Sequence, residues 1–108
     1  MDSFKFGEVV LISFPFTNIK DQKKRPVLVL IDTNDEDVIV SRITSGKNKS
    51  NYDIPILDWK YARLLMPSTC RINKVTTLEK KLINRKLGKL VESDLKSTRD
   101  KLNKLFTF

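Results

Sequence analysis

Arg25 stands directly before Pro26, and the pairing restricts where its guanidinium can be. Proline disfavours the helical region for the residue before it, and it starts a strand where its missing N–H costs least. Arg25 is therefore held extended at a loop–strand junction, with a planar fork that matches two phosphate oxygens. Thr44-Ser45-Gly46 is a second candidate, because small hydroxyls and a glycine permit close backbone approach to an anion. Lys24 adjoins Arg25, and Lys47 and Lys49 extend the second segment. Each lysine would add one salt-sensitive phosphate contact. Arg71 and Asn73 lie two apart in a strand-like run, which puts them on one face, the arginine suited to phosphate and the asparagine to a base or sugar edge. Every one of these signals also has a plainer reading. Loops carry solvated charge, Ser, Thr and Gly favour turns, and outward strand faces are polar. Residue by residue, the plainer reading is the stronger. Trp59 and Tyr61 are able to stack on bases, but they read first as packing residues.

Two absences narrow the chemistry. The chain has no histidine and a single cysteine, Cys70. That argues against a zinc site and excludes both histidine acid–base catalysis and a Ser-His-Asp triad. A catalyst here has to use Arg, Lys, Tyr, a carboxylate or a hydroxyl. One cysteine builds no disulfide framework, and Cys70 reads as a small core residue. The formal net charge of +8 favours a polyanionic partner, nucleic acid first, with a solvated basic surface as the bland alternative.

The elements that must position these residues follow from patterning. Glu8–Phe14 is a β-branched apolar run and predicts a strand, ended by Pro15-Phe16-Thr17-Asn18. Asn18–Lys24 predicts an exposed loop. Val27–Ile31 predicts a strand buried on both faces, joined through Thr33-Asn34-Asp35-Glu36 to a strand over Asp37–Ile43 as a hairpin. Thr44–Asn51 predicts a second basic loop. Tyr52–Leu57 is extended, and Pro55 assigns it to a sheet edge or bulge. Asp58–Arg63 predicts a turn or short helical turn, and Ser68–Val75 a strand. Lys80, Lys81, Arg85, Lys86 and Lys89 read as a solvated surface. From Ser93, a candidate N-cap, Leu95, Thr98, Leu102, Leu105 and Phe106 recur at helical spacing. The expectation is a mainly β chain with helical additions, a small, strongly curved barrel with a C-terminal amphipathic helix. With 108 residues, it is read as one domain over 1–108. No apolar run approaches the ~18 residues of a membrane span, and no secretory signal opens the chain, so a cytoplasmic location and no membrane partner are expected.

The order of the elements is more specific than any one of them. Gly7-Glu8-Val9-Val10-Leu11, Lys24-Arg25-Pro26-Val27-Leu28-Val29, Ile43-Thr44-Ser45, Pro67-Ser68 with Arg71, and Leu87-Gly88-Lys89-Leu90 follow one another along the chain. This arrangement resembles the PemK/MazF family of toxins from type II toxin–antitoxin pairs, from about Gly7 onward. The resemblance implies an SH3-like β-barrel, a homodimer, a cognate antitoxin protein and no cofactor. It implies a metal-independent, sequence-specific endoribonuclease that cuts single-stranded RNA by attack of the 2′-hydroxyl, leaving 2′,3′-cyclic phosphate and 5′-hydroxyl ends. It also implies DNA binding through the antitoxin complex. Arg25 falls on the family's catalytic arginine, Thr44 on its catalytic threonine, and Arg71 on an arginine important in some members. Lys24, Ser45, Lys47, Lys49, Arg71 and Asn73 are the expected RNA contacts. Where members often continue Arg-x-Asp, this chain has Arg71-Ile72-Asn73, and an amide is no general base. Asp21 is the candidate base, with water as the alternative. The rival expectations are a gyrase-directed toxin on the same barrel and a non-catalytic RNA-binding module.

Overall fold

The computed structural model describes residues 3–13, 24–46 and 50–108. Its elements are β1 (Glu8–Ser13), β2 (Lys24–Asp32), β3 (Asp37–Ser45), β4 (Asp53–Ile56), β5 (Ser68–Glu79), a 3-10 turn at Lys80–Leu82, β6 (Ile83–Lys89) and α1 (Glu92–Leu105). All strand pairs are antiparallel, in the spatial order β4-β5-β3-β2-β1-β6. The mainly β fold with a C-terminal helix matches expectation, while the sheet is not closed: β4 and β6 are its two edges. Pro55 lies on edge strand β4, where the missing donor is tolerated.

Both faces of the sheet are apolar, because alternate residues of the central strands supply two cores. Val9, Leu28, Leu30, Ile43, Cys70 and Ile72 pack on the side covered by α1 and the 57–66 segment. Val10, Ile12, Val27, Val29, Val38 and Val40 pack on the other, with Phe4 and Leu78. This is why Val27–Ile31 carries no polar alternation. Cys70 is a core residue as expected, and burial first, then the nearby Asp53 charge, pushes its thiol up to about 12.

Several stretches differ from expectation, among them β3, which runs on through Thr44 and Ser45 where a loop is expected, and β5, which continues past Val75 to Glu79. Strand β6 runs through the segment read as merely solvated. It pairs with β1, but register shifts at Val9/Val10 and Leu11/Ile12 break its alternation, and its exposed Lys and Arg blunt a sheet edge. Strand β2 begins at Lys24, which pairs with Ser13, so Lys24 belongs to the sheet rather than to the preceding loop. Helix α1 is capped by Val91 without a side-chain bond, not by Ser93. Asp94 instead points inward and accepts from the backbone N–H of Leu57 (3.3 Å) and Asp58 (2.9 Å). The helix is thereby tied to the segment after β4.

The β2–β3 hairpin is braced by Asp32. Its carboxylate pairs with Lys80 Nζ at 2.7 Å and accepts from the backbone N–H of Phe4 and of Asn34, both at 2.8 Å. Lys80 first, then the two N–H groups, hold this carboxyl down at about 2. A depressed carboxyl stabilises the fold fully above its unfolded value of ~4 and loses that contribution as pH falls toward 2. Asp32→Asn is therefore expected to lower the melting temperature at neutral pH, with the gap to the parent closing between about pH 4 and 2 in a thermal denaturation series. A gap independent of pH would contradict this account.

Candidate functional site

The ladder between β2 and β3 starts at Val27–Arg42, whereas β2 already runs beside β1 from Lys24. Lys24, Arg25 and Pro26 are therefore bonded to one neighbour only, and Pro26, opposite Leu11, leaves no ladder donor wanting on the β3 side. Carrying the Val27–Arg42 register two residues further sets Arg25 opposite Thr44, across the mouth where the two strands stop pairing. Alternation puts Arg25, Val27, Arg42 and Thr44 on one face.

Two cavities meet at this mouth. One, of ≈ 590 Å³, is lined by Arg25, Pro26, Val27, Val40, Arg42, Ile43, Thr44, Lys74, Val75 and Thr76. The other, of ≈ 580 Å³, takes Arg25 and Thr44 together with Lys24, Ser45, Arg63 and Arg85 on apolar walls that include Leu11, Leu64, Leu65, Met66 and Leu87. Neither lining contains an acidic residue. A basic surface with no carboxylate to neutralise it draws anions, and the absence of an ion pair to Arg25 among the described residues leaves its fork open to them. The Thr44 hydroxyl donates to the Ser45 carbonyl over a long 3.3 Å, a weak tie that a better acceptor would displace. Gly46 follows with φ +110°, a backbone state that side chains resist, and its carbonyl accepts from the Thr69 hydroxyl at 2.8 Å. The glycine thus turns the chain just past Thr44 and Ser45.

The expected site residues divide. Arg25, Thr44, Lys24 and Ser45 come together at the mouth. Asp21, Lys47 and Lys49 lie outside the described residues. Arg71 lines neither cavity: its Nε is 3.3 Å from Asp53 Oδ1, and the Asp53 side chain is 1 % exposed. Asn73 is exposed in an irregular stretch of β5, where the pairing with β3 jumps from Arg71 to Val75. Period-two alternation from Arg71 to Asn73 does not survive that jump. Trp59 packs against the core, as expected, and Tyr61 is half exposed.

Sequence reasoning missed Arg42, Lys74, Arg63 and Arg85. Arg42 had a signal: a charge inside an apolar strand, two residues before Thr44 and so on its face. Arg63 had none. The 58–64 segment is one helical turn closed as a Schellman motif, with Leu64 N–H to Trp59 C=O and Arg63 N–H to Lys60 C=O, both 3.0 Å. Arg63 fills the left-handed seat, φ +66°, that glycine normally takes. Replacing it by glycine is expected to stabilise the fold by about 1 kcal/mol in urea denaturation, since the left-handed penalty on a side chain is ~1–2 kcal/mol. A loss of stability would show that other Arg63 contacts outweigh the backbone strain.

Over residues 5–106 the chain matches the family described as PemK-like, MazF-like toxin of type II toxin–antitoxin system. The chain belongs to this toxin family. Solved structures share the fold at low identity. A Mycobacterium tuberculosis toxin, MazF-mt6, superposes with a TM-score of 0.73 at 20 % identity, over 92 % of this chain and 95 % of that one. A mycobacterial endoribonuclease in complex with its cognate antitoxin gives 0.76 at 12 % identity, over 98 % and 99 %. MazF in a MazE–MazF complex from Deinococcus radiodurans gives 0.73 at 17 % identity, over 95 % and 94 %. Curated protein sequences give no significant match. The PemK/MazF match spans every described strand and α1. No helix among the described residues is long and apolar enough to cross a membrane.

Proposed function

We propose that this PemK/MazF-family toxin is an endoribonuclease that cuts single-stranded RNA without a metal ion. The observation that carries the reading is the meeting of Arg25 and Thr44 at two basic cavities without a carboxylate. In the proposed reaction the RNA's own 2′-oxygen attacks the adjacent phosphorus. The P–O5′ bond breaks, the 2′-hydroxyl proton goes to a base and the leaving 5′-oxygen takes a proton from water. Charge builds on the phosphoryl oxygens, and a preorganised guanidinium stabilises it where it forms. Arg25 has that role, since its planar guanidinium presents a fork that matches two phosphoryl oxygens. Thr44 donates a hydrogen bond that aligns the scissile phosphate. Asp21 is proposed as the base, and Lys24, Ser45, Lys47 and Lys49 as backbone contacts, joined by Arg42 and Lys74. Asn73 is a candidate edge contact from its exposed place in β5. Arg71 serves by holding β4 against β5 through Asp53 rather than by touching RNA. A requirement for the 2′-hydroxyl accounts for discrimination against DNA.

The antitoxin of the pair is proposed as an acidic or amphipathic segment laid over the basic mouth, and the toxin as a cytoplasmic, single-domain homodimer that reaches DNA only through that complex. The test is end-group analysis of RNA cut by the pure protein in EDTA. The expected products carry 2′,3′-cyclic phosphate and 5′-hydroxyl ends. Products with 5′-phosphate ends, or no products, overturn the reading.

A further inference from the structure

We propose that Arg63 and Arg85 form a second phosphate subsite, which holds a backbone phosphate flanking the one at Arg25 and Thr44. The inference rests on the ribonuclease reading and extends it to substrate length.

Three observations converge on the pair. The first is the seat of Arg63. A turn that closes as a Schellman motif ordinarily ends on glycine, yet here the left-handed position, φ +66°, carries the longest cationic side chain available. Strain of this kind persists where the surroundings over-determine it, and it concentrates at binding sites. The second is what clamps that turn. A Cβ built on Gly88 of β6 would lie 2.8 Å from the Ala62 carbonyl oxygen and 2.8 Å from Arg63 Cγ. Only glycine lets the turn sit this close, and the contact fixes the stem of Arg63 over β6, the strand that carries Arg85. The third is which cavities the two arginines line. Both line the ≈ 580 Å³ cavity that holds Arg25 and Thr44, and both line an adjoining ≈ 440 Å³ cavity with Lys60 and Lys86. Neither of these two linings includes an acidic residue.

Charge bookkeeping gives the ligand class. Lys86 is already paired with Glu8 at 3.2 Å, but Arg63 and Arg85 take part in no ion pair among the described residues. Two like charges lining one cavity repel each other unless an anion joins them, and a guanidinium pair suits the several oxygens of a phosphodiester. Continuity with the Arg25–Thr44 mouth makes that phosphodiester part of the same strand. Leu65 and Met66, both exposed, edge the shared cavity and offer apolar surface to its bases.

The experiment uses the full chain, with Arg63→Gly, Arg63→Lys, Arg85→Gln and the Arg63→Gly/Arg85→Gln pair. Arg63→Gly suits the backbone seat it replaces, so loss of fold does not confound it. Binding of an uncleavable 2′-O-methyl RNA dodecamer of mixed sequence is followed by fluorescence anisotropy across ~50–200 mM salt. Arg63→Gly and Arg85→Gln are each expected to weaken binding about tenfold and to flatten the salt slope by ~0.7, the value for one single-strand phosphate contact. Arg63→Lys should restore most of the slope, which a purely structural role would not. A dinucleotide with one phosphate should bind parent and variants alike. On cleavable RNA the loss should fall on KM more than on kcat. Unchanged dodecamer affinity and slope in both single variants overturn the subsite, even if Arg25→Ala abolishes cleavage. If the parent cuts no RNA but the variants still lose slope, the ribonuclease reading falls and the anion subsite stands.

Discussion

Arg25→Ala is expected to lower single-turnover RNA cleavage by ~10²–10³-fold, the usual loss when one preorganised transition-state donor is removed. The melting temperature should stay within about a degree of the parent, because Arg25 is exposed and makes no ion pair among the described residues. Arg25→Lys keeps the charge but loses the planar fork, so most of the deficit should remain. Thr44→Ala removes one hydrogen bond and should cost about tenfold, near the ~1.4 kcal/mol that a charge-assisted bond contributes. The measurement is the rate on one RNA at saturating protein, with RNA affinity determined in parallel on an uncleavable analogue. If Arg25→Ala cuts at the parental rate, Arg25 is not the group that stabilises the phosphoryl charge.

Arg71→Ala should act in the opposite sense, costing stability and sparing chemistry. Asp53 is almost wholly covered, and Arg71 pairs with it at 3.3 Å. Breaking a buried pair by removing one partner costs ~3–5 kcal/mol where the remaining charge loses its compensation. The figure is discounted here to about 2–3 kcal/mol, since Arg71 is itself 21 % exposed and Ser50 donates to Asp53 through both its N–H and its hydroxyl. Replacing both partners, as in Arg71→Met with Asp53→Leu, should recover much of the loss. Urea denaturation supplies the free energies. A stable Arg71→Ala variant with weakened RNA binding would return Arg71 to the RNA-contacting residues.

The contrast between these two arginines shows what a sequence can and cannot carry. Arg25 was legible because its position is set locally, by the proline after it and the strand that proline opens. Arg71 was not, because its partner Asp53 belongs to another strand and only the β4–β5 pairing brings them together. Strands β1 to β5 were legible wherever burial repeats with a simple period. Strand β6 was hidden, because two register shifts against β1 scramble its alternation and its charges imitate a loop. The cap of α1 was misplaced by two residues for a related reason. Asp94 sits where the helix dipole would favour it, yet its carboxylate is drawn inward by the Leu57 and Asp58 amides. Arg63 lies furthest from sequence-based reasoning, since a left-handed arginine violates the rule by which such seats are read.

The pairing of β1 with β6 also orders the events of synthesis. The β2–β3 hairpin, whose strands carry Arg25 and Thr44 just beyond their paired stretch, can form as soon as its own residues emerge. Strand β1, made first, must wait for Ile83–Lys89 before its outer edge is covered. Until then the wall that contributes Arg85 and Leu87 to the basic mouth does not exist. A ribosome-bound chain that has not released β6 therefore carries Arg25 and Thr44 on an unfinished groove. The basic mouth is complete only once β6 has paired with β1, so its two walls are brought together by residues far apart in the order of synthesis.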